Sequence, residues 1–183
     1  FRRVLFRSIA GLRFSVHEVQ DSKNQKNSGK VEHHHHNHHH HEHHHAHRTW
    51  SEIRSWIGAL ELSEEVKSSA LTMFSMLAEV EGKIHGVKVD DVRFHEVGAW
   101  DSIVDFIAAA WLIDQLKIKR WTWSAIPLGG GQIRSSHGLL PVPAPATALL
   151  LEGFLFHDDG IGGERVTPTG AAILRYLKMS TQP

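Results

Sequence analysis

Twelve of the fifteen residues from His33 to His47 are histidine, in the run HHHHNHHHHEHHHAH. Led by the polar stretch QDSKNQKNSGK from Gln20 to Lys30, this run has no apolar face to give to a core. The fold must therefore be built from what flanks it. Residues 1–19 read as an N-terminal strand region, 20–48 as a flexible, disordered His-rich insertion, and 49–183 as the folded part.

The tract carries a chemistry of its own. Neutral imidazole is a borderline ligand that suits nickel, zinc, copper and iron. His33, His34, His35, His36, His38, His39, His40, His41, His43, His44, His45 and His47 offer many interchangeable nitrogen sets. The run is internal and broken by Asn37, Glu42 and Ala46, unlike a terminal tag. It reads as a metal reservoir, and the plainer alternative is a solvated low-complexity linker that binds metal incidentally. A floppy run fixes neither a ligand set nor the groups that orient it. Its affinity comes from multiplicity, which suits delivery or buffering better than catalysis.

Composition narrows the remaining classes. Twenty Lys and Arg balance twenty Asp and Glu, so no basic footprint for nucleic acid is present. The lack of cysteine removes thiolate sites, disulfides and cysteine nucleophiles and leaves His, Asp and Glu as ligands. No stretch approaches the roughly 18 apolar residues of a membrane span and no signal peptide is visible, so a soluble cytoplasmic protein is expected. A homo-oligomer is expected as well.

Along the chain, Leu12 to Val19 alternates as a half-buried strand, whereas the opening FRRVLFRS has no clear period and the first dozen residues read as a fragment edge. Thr49 with Glu52 forms a capping box that starts a helix at Trp50, with Trp50, Ile53, Trp56, Ile57 and Leu60 inward. Ser63 caps a second helix, with Val66, Ala70, Met73, Phe74 and Leu77 facing the core and Gly82 or Gly86 ending it. Val92 to Val97 predicts a strand. Ser102 to Leu116 predicts a helix so apolar all round that it should be buried against a sheet. A strand from Trp121 to Ile126 then leads into the loop Pro127 to Gly131. A proline-rich bend from Leu139 to Pro145, a helix from Ala146 to Leu151, a brief strand near Phe154 and a helix from Thr169 to Leu177 follow. Strands alternating with helices give the α/β class, one domain carrying the insertion.

The densest polar cluster is HEVGAWDSIVD. His95 and Glu96 close a predicted strand, and Asp101 and Asp105 stand four apart on one face at the start of a helix, where α/β folds place ligands. Asp101 or Ser102 could equally be a helix cap, with Asp105 completing a capping box from Ser102. Asp105 on so apolar a helix points instead to a metal or substrate role. His137, before a glycine and a run of alternating prolines, is either presented at a cleft or incidental to a stiff surface loop. His85, before Gly86, reads as a cation at a helix C-terminus. Gly129, Gly130 and Gly131 could cradle phosphate with their N–H groups, as could the helix start at Thr167 and Thr169, although a threonine there also serves as a plain cap. The spacing of a P-loop is absent.

Taken in order, the poly-His run, HRTWSEI, EGKIHGV, FHEVGAWDSIVDFIAAAWLIDQL, IPLGGG, HGLLPVPAPATALLLEG and VTPTGAAILRYL closely resemble the LarC family of nickel-insertion proteins, from about Gly11 to Leu177. The resemblance implies a lyase-type nickel chelatase that completes the nickel-pincer nucleotide of lactate racemase-type apoenzymes. Its implied substrate is pyridinium-3,5-bisthiocarboxylic acid mononucleotide, with CTP and a divalent cation required in the full-length family. The chain departs from the family pattern at both ends. FRRVLFRSIAG replaces a glycine-rich SGISGDM-like turn, and the separate C-terminal domain to which CTP handling is attributed is missing, which puts complete activity of this chain alone in question.

Three functions compete on these residues. The first is a nickel-handling domain whose tract captures Ni(II) and whose His95, Glu96, Asp101, Asp105 and His137 line the site for metal or mononucleotide. The others are a nickel store or metallochaperone without chemistry, and a metal-dependent hydrolase built on the same cluster. The tract itself should bind several nickel ions weakly and heterogeneously, and release them as pH falls to about 5 and the imidazoles protonate. Calorimetry that finds a single tight site surviving removal of His33 to His47 contradicts this.

Overall fold

The computed structural model describes residues 2–6, 9–13, 48–94, 100–135 and 137–180. Contacts divide the chain into two units, Phe1–His44 and His45–Pro183. In the first, β1 (Arg2–Phe6) pairs antiparallel with β2 (Ile9–Arg13), with Phe6 opposite Ile9 and Arg2 opposite Arg13. The opening run, which shows no period in sequence, is thus a strand, because backbone pairing in a hairpin does not need side-chain alternation. Of the strand expected from Leu12 to Val19, Leu12 and Arg13 belong to β2. Its remainder, like the whole His tract, lies outside the described residues.

The second unit begins with β3 (Arg48–Thr49) and runs directly into α1 (Trp50–Ala59). The capping box forms as expected. The Thr49 hydroxyl accepts from the Glu52 N–H at 3.3 Å, and the Glu52 carboxylate accepts from the Thr49 N–H at 2.7 Å. Ser63 likewise caps α2 (Glu64–His85), accepting from the Val66 N–H at 3.3 Å. Gly86 ends that helix in the left-handed region, φ 66°, a conformation that costs a glycine nothing.

Helix α2 is the hub of this unit. It packs against α1, against α3 (Trp100–Leu116), against α4 (Pro145–Leu150) and against α5 (Pro168–Ser180). All five residues assigned to its inner face are buried, and Phe74 at its middle meets three rings. The centroids of Trp50, Phe106 and Phe94 lie 5.8, 4.3 and 6.0 Å away. Burying a ring of that size contributes on the order of 3 kcal/mol before its aromatic contacts are counted.

The strands are short and paired two by two among the described residues. Strand β3 pairs antiparallel with β4 (Arg93–Phe94), Arg48 opposite Phe94, and the Trp50 N–H donates to the Val92 carbonyl. Strand β5 (Ile126–Pro127) runs parallel to β9 (Phe156–His157), and β6 (Gly129–Gly130) is antiparallel to β10 (Gly163–Glu164). Strands β7 (Gln132–Ser135) and β8 (Gly138–Pro141) form a hairpin, and the Val142–Pro143 peptide bond that follows is cis. The class is α/β, as helix and strand alternate along the chain.

Three expectations are corrected. Helix α3 packs on helices, not on a sheet, and is not buried all round. Ile103, Phe106 and Ala110 form its inner stripe, while Trp111, Leu112 and Leu116 are exposed, because the described strands of this unit, two to four residues long, offer no face broad enough to cover it. From Trp121 to Ile126 only Ile126 joins a strand. Thr122, Trp123 and Ser124 are exposed without a ladder, and Trp123 rests on Phe154 at 5.5 Å instead. Trp56, expected inward, is partly exposed and meets Trp100 edge-on at 4.9 Å.

The capping box generates a pH dependence. The Thr49 backbone N–H, and then the Thr49 hydroxyl, hold the Glu52 carboxyl below its ordinary value of 4.5. A carboxyl lowered on folding stabilises the fold above its unfolded pKa, and that contribution is lost as pH falls through the folded value. Glu52→Gln should therefore flatten the acid limb of the melting temperature against pH below about 4.5. An unchanged acid limb contradicts the assignment.

Candidate functional site

Near the C-terminal end of α2 the surface opens into a cleft of about 230 Å³. Its walls are built by five parts of the chain. Helix α2 contributes Glu81, Ile84 and His85, β4 contributes Arg93 and Phe94, and the β7–β8 hairpin contributes His137 and Leu140. Ala144 to Ala146 and Pro168 close it at the starts of α4 and α5. Among the described residues, the cleft is apolar apart from two imidazoles, one carboxylate and one guanidinium.

The polar groups are held by local structure. Glu81 and His85 are one helical turn apart, and the His85 Nε2 lies 3.3 Å from the Glu81 Oε2. His137 stands in the two-residue link between Ser135 and Gly138. There its N–H donates to the Ser135 hydroxyl at 3.1 Å, and that hydroxyl donates to the Gly138 carbonyl at 3.2 Å. The rings of His85 and His137 face one another with centroids 5.2 Å apart and planes inclined at 40°. Among the described residues, no three His, Asp or Glu side chains converge closely enough to enclose an ion.

Of the residues singled out in the sequence, His137 is brought to the cleft. Asp101 lies in the first turn of α3, and Asp105 one turn later is exposed and not part of the cleft wall. Asp105 is therefore not the buried carboxylate that its apolar neighbours suggested, since α3 turns that face to solvent. His95 and Glu96 lie outside the described residues, although Phe94, immediately before them, is part of the wall. Glu81 is the residue the sequence reading missed, and His85, read there as a cation at a helix C-terminus, is also brought to the cleft. Their spacing of four on one helix was legible, but the approach of a hairpin turn fifty-two residues later was not.

The glycine run is placed elsewhere, and the last helix start reaches the cleft through Pro168. Gly129 and Gly130 pair with β10, and a Cβ at Gly129 would collide with the Gly163 carbonyl oxygen, so close backbone approach explains that glycine. Burial raises the pKa of nearby Asp159, but the Ile161 N–H and the Arg165 guanidinium outweigh it and hold the carboxyl below its ordinary range. Arg165 is thereby engaged, at 2.7 Å from Asp159. Thr167 caps α5, accepting from the Gly170 N–H at 3.2 Å, and Thr169 is buried. Gly129→Ala should cost about 1–3 kcal/mol through backbone displacement. Denaturant unfolding within error of the parent protein refutes this.

Comparison with known proteins supplies relatives of the sequence. A family model described as nickel insertion protein matches residues 2–183. A protein of Syntrophobacter fumaroxidans named for nickel insertion is 50% identical over 136 residues, covering 74% of this chain and 35% of that protein. One from Methanocaldococcus jannaschii is 43% identical over 130 residues, covering 70% and 34%. A third, from Citrifermentans bemidjiense, is 42% identical over 174 residues, covering 95% and 45%. The chain thus spans between a third and a half of the length of these relatives. No solved structure matches it.

Proposed function

The chain belongs to the nickel insertion protein family, and from that premise we propose that it is the nickel-handling part of a longer insertase. In this reading the imidazoles of His33 to His47 capture Ni(II), and His95, Glu96, Asp101, Asp105 and His137 serve the site where the metal meets its acceptor. The acceptor is pyridinium-3,5-bisthiocarboxylic acid mononucleotide, and its phosphate is received by the backbone N–H groups of Gly129 to Gly131 or at Thr167 and Thr169. CTP and a divalent cation are used by the rest of the longer protein, and the finished cofactor passes to a lactate racemase-type apoenzyme.

The observation that carries this reading is an apolar cleft that presents, among the described residues, the imidazoles of His85 and His137 and the carboxylate of Glu81, with Phe94 in its wall. Arg48, which follows the last tract histidine in the chain, pairs with Phe94. Transfer from imidazole nitrogen to a thiocarboxylate sulfur moves nickel to a softer ligand. The chain itself binds, orients and excludes water. No helix among the described residues is long and apolar enough to cross a membrane.

A second reading, a nickel store or metallochaperone without chemistry, is favoured by the lack of a three-ligand cluster among the described residues. Incubating the complete protein with nickel, CTP and the mononucleotide separates the two. The expected result is nickelated product, with tract histidines replaced by asparagine raising the nickel needed for half-maximal rate and leaving the maximal rate unchanged. Absence of product leaves the store. Asp105→Asn, at an exposed position, should shift stability by no more than about 0.5 kcal/mol. A tenfold or greater loss of product keeps it in the site, and full turnover removes it.

A further inference from the structure

We propose that His85 and His137 together ligate a divalent metal ion of borderline softness, with Glu81 as the carboxylate that orients His85. The proposal rests on the nickel-handling reading and adds two residues to it.

Three observations carry it. The first is the Glu81 carboxylate 3.3 Å from the His85 Nε2. A metal-ligating histidine commonly gives its second ring nitrogen to a carboxylate, which fixes the tautomer and makes the imidazole a stronger donor. Here Nε2 faces Glu81, so Nδ1 is the nitrogen assigned to the metal.

The second is the spacing of the rings. With metal–nitrogen bonds of about 2.0–2.1 Å, the centre of each imidazole lies about 3.2 Å from the ion, and a tetrahedral angle then separates two centres by about 5.2 Å. A right angle would bring them to about 4.5 Å. The observed separation is 5.2 Å, with planes inclined at 40° rather than stacked. Two imidazoles at this separation suit one tetrahedral ion directly, and the right angle that nickel(II) prefers requires the rings to close by about 0.7 Å.

The third is that the surroundings are set before any metal arrives. His85 occupies the last helical residue before the Gly86 cap, and His137 is fixed by the Ser135 hydroxyl. Ile84, Phe94 and Leu140 line the same cleft. Two protein nitrogens leave about two of four positions for water or an incoming sulfur, as in open metal sites. Arg93 supplies a positive charge to the cleft, suited to an anionic acceptor beside the cation.

The test uses the full chain with isotope-labelled histidine, and nickel(II) added beyond saturation of the tract. Ring signals of His85 and His137 are assigned from His85→Ala and His137→Ala. Both rings should broaden together through the paramagnetism of nickel, and each variant should leave the remaining ring sharp. Glu81→Gln should raise the nickel concentration at which the pair broadens by about 10–100-fold. If the tract signals broaden while the pair stays sharp, this proposal alone is overturned. It is overturned too if His137, in its exposed turn, broadens equally without His85. If no histidine responds to nickel, the nickel-handling reading falls with it.

Discussion

Four aromatic rings meet at the middle of α2, and the site depends on that meeting. Phe74 is fully buried between Trp50 of α1, Phe94 of β4 and Phe106 of α3. Each of these residues comes from a different element, so one cluster fixes the direction of α2 relative to three others. Truncating a ring so enclosed leaves a cavity whose cost, about 3–5 kcal/mol, is a large share of the stability of a domain of this size. Phe94 belongs both to this cluster and to the cleft wall. The cleft is therefore an edge of the core rather than a feature of loops.

Local signals were legible in sequence, and long-range ones were not. Thr49 with Glu52, Ser63 and Gly86 mark helix ends because capping is settled within four residues. The apolar stripe of α2 was readable for the same reason. The extent of exposure on α3 was not, since Trp111 and Leu112 are as apolar as Ile103 and only tertiary packing decides which face is covered. Trp121 to Ser124 carries strand-forming residues but finds no ladder partner, and β-propensity without a neighbour does not make a strand.

The candidate site divides in the same way. His137 could be singled out because glycine and proline around it imply a shaped turn. His85 was first explained by the helix dipole, an adequate local account that left no reason to look further. Only the fold reveals that the helix end and the hairpin turn are neighbours. The run of glycines carries two uses at once, because a pattern suited to phosphate also suits two backbones in close approach, and at Gly129 the structure contains that approach.

The placement of His85 on the last turn of α2 has a dynamic consequence. The middle of this helix carries the core, and its end is held by the Gly86 cap and by bonds from the Gly86 and Val87 N–H groups to the Gly82 carbonyl. Its counterpart His137 hangs on a four-residue-per-strand hairpin. Fraying of one helical turn and flexing of one hairpin cost far less than global unfolding, and they occur while the Phe74 cluster stays intact. The two imidazoles can therefore part and rejoin on the timescale of loop motion. The lifetime of anything they hold is set by a few exposed hydrogen bonds and not by the stability of the protein.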